Sequence, residues 1–343
     1  MSTPAALTEA IGLSELAALA CSPAADVVSP FAEFPCLLVR LEKSAPALNA
    51  QQEAFVARWM RRQPCPVIAI AEKGVHESLQ QACDIATADP ATLGAVIENI
   101  RRSPLAATVL VQVLRVTEHI PIEQALVVES LGFAALQNGP ELRRWLAERT
   151  PRNTPKANDA GPAVLVERRG EDLELRLNRP SRRNSMSVEM RDALYEALQL
   201  VIADPSIQRV QISGVGKCFS AGGDLDEFGT APDAATAHAV RSVRLPATAL
   251  LQCVERVEFR VHGACVGAGA EFPAFGRRVC ATRDAFFQLP EIRLGLIPGA
   301  GGCVSIPRRI GRQRAAYMAL SAERIDASRA LSWGLIDAIV DGD

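Results

Sequence analysis

Residues 258–271 read EFRVHGACVGAGAE, and this stretch decides the fold. Phe259 and Val261 alternate with charged neighbours, so 258–262 reads as a strand with one buried face. Residues 263–269 then form a loop of small residues that feeds a helix. Glu271 sits on the first turns of that helix, its carboxylate directed back toward the loop. The same order occurs upstream, where a strand at 208–213 leads into a loop at 214–223 that contains FSAGGD at 219–224. Strand, glycine loop and helix repeated along a chain is α/β behaviour. Small residues let backbone N–H groups approach a ligand closely, and unpaired N–H groups at a helix start favour negative charge. Two such loops together can hold one oxyanion. Taken singly, the glycines equally serve tight turns. Neither loop is G-x-G-x-x-G after the first strand of a βαβ unit, which excludes a dinucleotide fingerprint.

A second carboxylate, Glu291, lies in LPEI at 289–292, just before another loop of small residues, GLIPGAGG at 295–302. Two carboxylates beside an oxyanion site suit proton transfer next to a carbonyl. One orients and deprotonates a water while the other supplies or removes the α-proton, each worth roughly 10²- to 10⁴-fold in rate. Plainer readings stand beside this one: a helix-terminus charge for Glu271, a surface turn residue for Glu291, and an Asx-type cap for Asp224 on a helix following Gly223.

Outward from these loops, DLELRLN at 172–178 alternates as a strand, and Ser187 caps an amphipathic helix that Asp204-Pro205 ends. Upstream, TPRNTPKANDAGP at 150–162 breaks all periodicity. The chain is therefore divided into an N-terminal accessory domain at 1–150, a linker at 151–162 and a catalytic core at 163–343. The N-terminal part reads as strands at 36–41 and 66–71 with helices at 51–60, 90–100, 105–116 and 122–136. The apolar faces of these helices are wide enough to need a partner.

With 343 residues, 48% hydrophobic and 22% charged, the chain has the composition of a globular protein. A formal charge of -2 supplies no basic field for nucleic acid or anionic lipid. No apolar run is long enough for a membrane span, and the residues after Met1 lack a basic region ahead of an apolar one, so no secretory signal is expected. Nine cysteines without a C-x-x-C pair read as reduced thiols in a cytoplasmic protein. Four histidines, none paired at ligand spacing, argue against a metal.

Taken together and in order, residues 219–225 (FSAGGDL), 262–271 (HGACVGAGAE) and 289–302 (LPEIRLGLIPGAGG) resemble the enoyl-CoA hydratase/isomerase (crotonase) superfamily. LNRPSRRNSM at 177–186 and RIDASRALSWGLID at 324–337 fit as well. The resemblance implies a spiral of ββα repeats binding an acyl-CoA thioester, with the oxyanion held by the N–H groups of Ala221 and Ala268. It implies substrate contacts from Ala221, Gly222, Gly223, Asp224, Gly267, Ala268, Pro298 and Gly299. Glu271 matches the glutamate that activates water and Glu291 the one that exchanges the α-proton. With both present, hydration of a trans-2-enoyl-CoA is expected, with isomerisation or another crotonase-type reaction as the alternative and a non-catalytic acyl-CoA scaffold as a third reading. Coenzyme A belongs to the substrate, no cofactor or metal is required, and a trimer or hexamer is implied.

Three departures stand out: Ala268 replaces a usual glycine, Pro273 falls just after Glu271 where it tightens or kinks a helix, and the sequence stops soon after the GLID motif. The helices with which family members continue have a counterpart upstream, at 103–106 and 129–146. Residues 64–70 and 83–86 resemble the family strands that flank the second oxyanion loop, without that loop. Residues 1–150 are thus expected to be a degenerate crotonase half that caps the active site and serves assembly, against the alternative of an unrelated accessory domain.

Overall fold

The computed structural model describes residues 10–22, 28–43, 48–150 and 159–342; Met1 and positions 151–158 of the expected linker lie outside the described residues. Downstream of the linker, six strands form a sheet in the order Ala338–Val340, Arg278–Thr282, Val257–Val261, Arg209–Gly214, Asp172–Leu177 and Val164–Arg169. All neighbours are parallel except the last pair, an antiparallel hairpin. Its outer strand, Val164–Arg169, has no counterpart in the sequence expectations. Leu173, Leu175 and Leu177 turn inward as the alternation requires. They meet Leu194, Leu198 and Val201 of the Val188–Ala203 helix in one core, and the Ser187 hydroxyl caps that helix by accepting from Met190 N–H. A smaller sheet of Ile325–Asp326, Phe286–Gln288 and Ala264–Val266 carries the second glycine loop.

Upstream, four parallel strands stand in chain order: Ile11–Gly12, Leu37–Leu41, Val67–Ala71 and Ile85–Thr87. One face of this sheet packs on its own helices through Leu16, Val39, Met60 and Leu79. Leu38, Ile68 and Ile85, on the other face, join a continuous core that runs through Leu110, Phe133 and Leu296 to Met318. The helices Gly94–Arg102, Pro104–Thr117, Ile122–Gln137 and Pro140–Glu148 lie at this junction.

Polar bonds lock the two halves together. Asn99 donates to the carbonyls of Leu320 and Ser321 at 2.8 and 3.0 Å. Thr117 donates to Cys303 O at 3.0 Å. Asp84, 1% exposed, takes Arg312 at 3.1 Å and Arg115 at 2.5 Å. A buried carboxylate so paired is costly to orphan.

Candidate active site

The two glycine loops are brought together by pairing. Ser220 N–H donates to Ala264 O at 3.1 Å and Val266 N–H to Ser220 O at 3.0 Å. The backbones then cross so closely that a Cβ on Gly222, whose φ is +91°, would lie 2.7 Å from Val266 O. Only glycine satisfies both constraints there. The crossing opens into a cavity of about 320 Å³, lined among others by Gly223, Asp224, Ala268, Glu271, Glu291 and Gly299.

Ala221 is not the donor the sequence suggested. Its N–H is taken by Arg183 O at 2.9 Å, and Ala221 does not line the cavity. Two residues on, Gly223 does. Met186 exchanges its bonds with Gly222 O and Asp224 N–H, at 2.7 and 3.4 Å, and the Gly223 N–H between them has no acceptor among the described residues. Ala268 opens the Ala268–Glu271 helix, so its N–H precedes the first intrahelical bond. The pair of N–H groups facing the cavity is therefore Gly223 and Ala268. Gly222, Gly267 and Pro298 stand behind the lining: Gly222 and Gly267 form the backbone crossing, and Pro298 is buried under its loop.

No helix follows Gly223, because the next one begins at Ala234. Asp224 instead makes an Asx turn, accepting from Asp226 N–H at 3.1 Å, and pairs with Arg182 at 3.0 Å. Arg182 is thereby occupied on the protein.

Pro273 shortens the helix after the second loop to four residues, followed by a 3-10 turn at Pro273–Phe275. Glu271 is nonetheless fixed: its Oε2 accepts from Ala300 N–H at 2.6 Å and Gly302 N–H at 2.9 Å. A Cβ on Gly302 would strike Glu271 Cγ at 2.5 Å. Burial pushes the Glu271 pKa up while these N–H bonds and Arg241 hold it down. Glu291 opens a 3-10 turn at Glu291–Leu294, and its buried Oε2 has no hydrogen-bond partner among the described residues. Burial first, then the Glu271 charge, raises it well above the ordinary carboxyl range. The two carboxyls in one cavity thus differ in kind: donors from Ala300 and Gly302 favour the charged form of Glu271, whereas burial and the like charges of Glu271 and Glu129 outweigh the one backbone N–H that favours the charged form of Glu291.

The sequence reading expected residues 1–150 to cap the active site but named no side chain of the Ile122–Gln137 helix as part of it. Glu129, Phe133 and Gln137 fall at i, i+4 and i+8, one stripe of that helix. Phe133 and Gln137 line the cavity. Phe133 seats on Gly299, where a Cβ would come within 2.2 Å of its ring, and carries the Arg241 guanidinium 3.8 Å from its centroid. Arg241 also donates to Gly299 O. Glu129, 1% exposed, accepts from Gly301 N–H and Cys303 N–H, both at 2.7 Å; burial and the Glu271 charge push its pKa up to about 8. The signal was a glutamate on the buried face of that helix, beside Ala125, Leu126 and Phe133. Among the described residues, no group of three or more His, Cys, Asp or Glu is placed to hold a metal ion. None of their helices is long and apolar enough to cross a membrane.

The family model for enoyl-CoA hydratase/isomerase matches residues 171–343. The 2,3-dehydroadipyl-CoA hydratase of Escherichia coli K12 is 35% identical over 181 residues, 52% of this chain and 70% of that protein. The 1,2-epoxyphenylacetyl-CoA isomerase of the same organism is 37% identical over 176 residues, 50% of this chain and 67% of that one. A crystal structure of enoyl-CoA hydratase from Thermoplasma volcanium GSS1 aligns with 53% of this chain and 73% of its own, at 31% identity and a TM-score of 0.48. With its family model covering half the sequence, the chain belongs to the enoyl-CoA hydratase/isomerase, or crotonase, family.

Proposed function

We propose that the protein hydrates a trans-2-enoyl-CoA thioester. The observation that carries this reading is the pair of unlike carboxyls, Glu271 and Glu291, lining one cavity with two N–H groups that have no acceptor among the described residues. Gly223 and Ala268 N–H hold the thioester oxygen as it becomes an enolate oxyanion, an effect of about 3–4 kcal/mol per donor. Glu271, its Oε2 occupied by Ala300 and Gly302, uses the remaining oxygen to take a proton from water as the water oxygen bonds to the β-carbon. Glu291, kept as the acid by its surroundings, delivers its proton to the α-carbon. The product is a 3-hydroxyacyl-CoA, and proton exchange with solvent restores both carboxyls. No step calls for a metal or redox group.

Isomerisation is the second reading, because Glu291 alone can move an α-proton. The N-terminal half is read as the cap of this site, a role supported by Phe133 and Gln137 in the cavity wall. A panel of enoyl-CoA thioesters of differing chain length, followed by loss of the conjugated double bond, tests the reading. Consumption by the wild type that collapses in Glu271→Gln is expected. Unchanged hydration in that variant overturns the assignment, and double-bond migration without water addition favours isomerisation.

A further inference from the structure

The backbone N–H groups of residues 300–303 alternate between two carboxylates from opposite halves of the chain. Ala300 and Gly302 donate to Glu271 at 2.6 and 2.9 Å, whereas Gly301 and Cys303 donate to Glu129, each at 2.7 Å. Gly301, at φ +106°, supplies the turn that sends successive N–H groups opposite ways. A segment divided in this manner cannot drift toward one carboxylate without leaving the other. Glu129 does not line the cavity, so its action on a substrate is indirect.

We propose that Glu129 is a positioning residue: it holds the 300–303 segment from the N-terminal side, and through that segment it fixes Glu271 and links the protonation of the two carboxyls. Both Glu129 oxygens accept N–H bonds, and these donors draw its pKa down against burial and the Glu271 charge, which raise it. Two like charges sharing one loop each raise the other's proton affinity. The other groups facing the pair are Glu291, the Cys303 thiol and Arg241, the last a partial counter-charge to both. His238, on the Arg241 helix, is turned to the Ser130 hydroxyl at 2.9 Å.

The inference rests on the reading of Glu271 as the base that activates water, and its test separates the two. In Glu129→Gln the amide group opposes one of the two N–H donors. Hydration kcat is expected to fall about 10- to 100-fold with KM within about twofold. The pH profile is expected to lose the upper of two coupled steps, because Glu271 then titrates without a second carboxyl on the same segment. A folded variant with unchanged kcat and an unchanged pH profile overturns the proposal while leaving the Glu271 reading intact. Unchanged hydration in Glu271→Gln sinks the reading instead.

A readout independent of turnover is the pH titration of ¹⁵N-glycine-labelled full chain, where Gly301 reports Glu129 and Gly302 reports Glu271. Shared, two-step titration of both amides is expected in the wild type, and independent single steps overturn the link. If Glu129→Gln does not fold, Glu271→Gln reads the same link from the other end: the Gly301 titration moves to lower pH, and an unmoved midpoint refutes the proposal.

Discussion

The strand pairs around Val67 and Val279 are closed by the same device, and the two halves diverge from there. Asp84 accepts from Val67 N–H at 2.8 Å and donates its own N–H to Val67 O at 2.7 Å. Asp337 does the same with Val279, at 2.7 and 2.8 Å. Each aspartate also takes an arginine: Arg115 and Arg312 for Asp84, Arg309 for Asp337. Residues 64–70 and 83–86, which resemble the strands flanking the second oxyanion loop, supply neighbouring parallel strands, as Val257–Val261 and Arg278–Thr282 do downstream. One half then carries the glycine loops with Glu271 and Glu291, and the other carries the helices that bring Glu129, Phe133 and Gln137 to those loops. The two halves thus share this local arrangement, while the glycine loops and the carboxyls Glu271 and Glu291 sit downstream and the covering helices upstream.

Substitution of a carboxyl found in only one half is the most severe way to expose this division. Glu291→Gln is expected to lower turnover by roughly 10²- to 10⁴-fold, measured as initial rates on the best substrate of the panel. Its stability moves the opposite way. A carboxyl whose folded pKa is raised stabilises at low pH and loses that contribution as pH climbs through the folded value. Denaturant titrations should therefore show the variant gaining on the wild type as pH rises above the ordinary carboxyl range; a constant difference would contradict the buried acid.

The two aspartates come next. Asp84→Ala strands Arg312, itself 9% exposed, and is expected to cost about 3–5 kcal/mol. Asp337→Ala removes a carboxylate whose side chain is 40% exposed, and about 1 kcal/mol is expected. Equal losses in urea unfolding would show that the two units are not distinguished by burial. Smaller again is Gly299→Ala, where the added methyl meets Phe133. About 1–3 kcal/mol is expected, together with a fall in kcat because the Arg241 bond to Gly299 O shifts. Least of all, Asn49→Ala and Ser187→Ala, one helix cap in each half, should each cost about 1 kcal/mol, and Asn49→Ala, outside the cavity lining, should leave turnover unchanged.

The parts legible in the sequence are those governed by short-range rules. The Leu173, Leu175, Leu177 alternation and the Ser187 cap gave a strand and a helix within a residue or so of their ends, and the order of the glycine motifs brought Glu271 and Glu291 into one cavity. Which N–H faces that cavity was not legible. It depends on Arg183 O reaching Ala221 across a turn in which Arg183 and Asn184 both have positive φ. Nor was the role of Glu129, whose partners lie 172 and 174 residues away. Long-range hydrogen bonds leave no periodic trace, only the oddity of a carboxylate on an apolar face.

The central claim is that one site is built from both halves, and hydrogen–deuterium exchange of the full chain with and without a saturated acyl-CoA such as octanoyl-CoA tests it most directly. Protection is expected both in peptides spanning 219–224, 263–271 and 298–303 and in the Ile122–Gln137 helix. Protection confined to the downstream loops, with that helix unchanged, would contradict it.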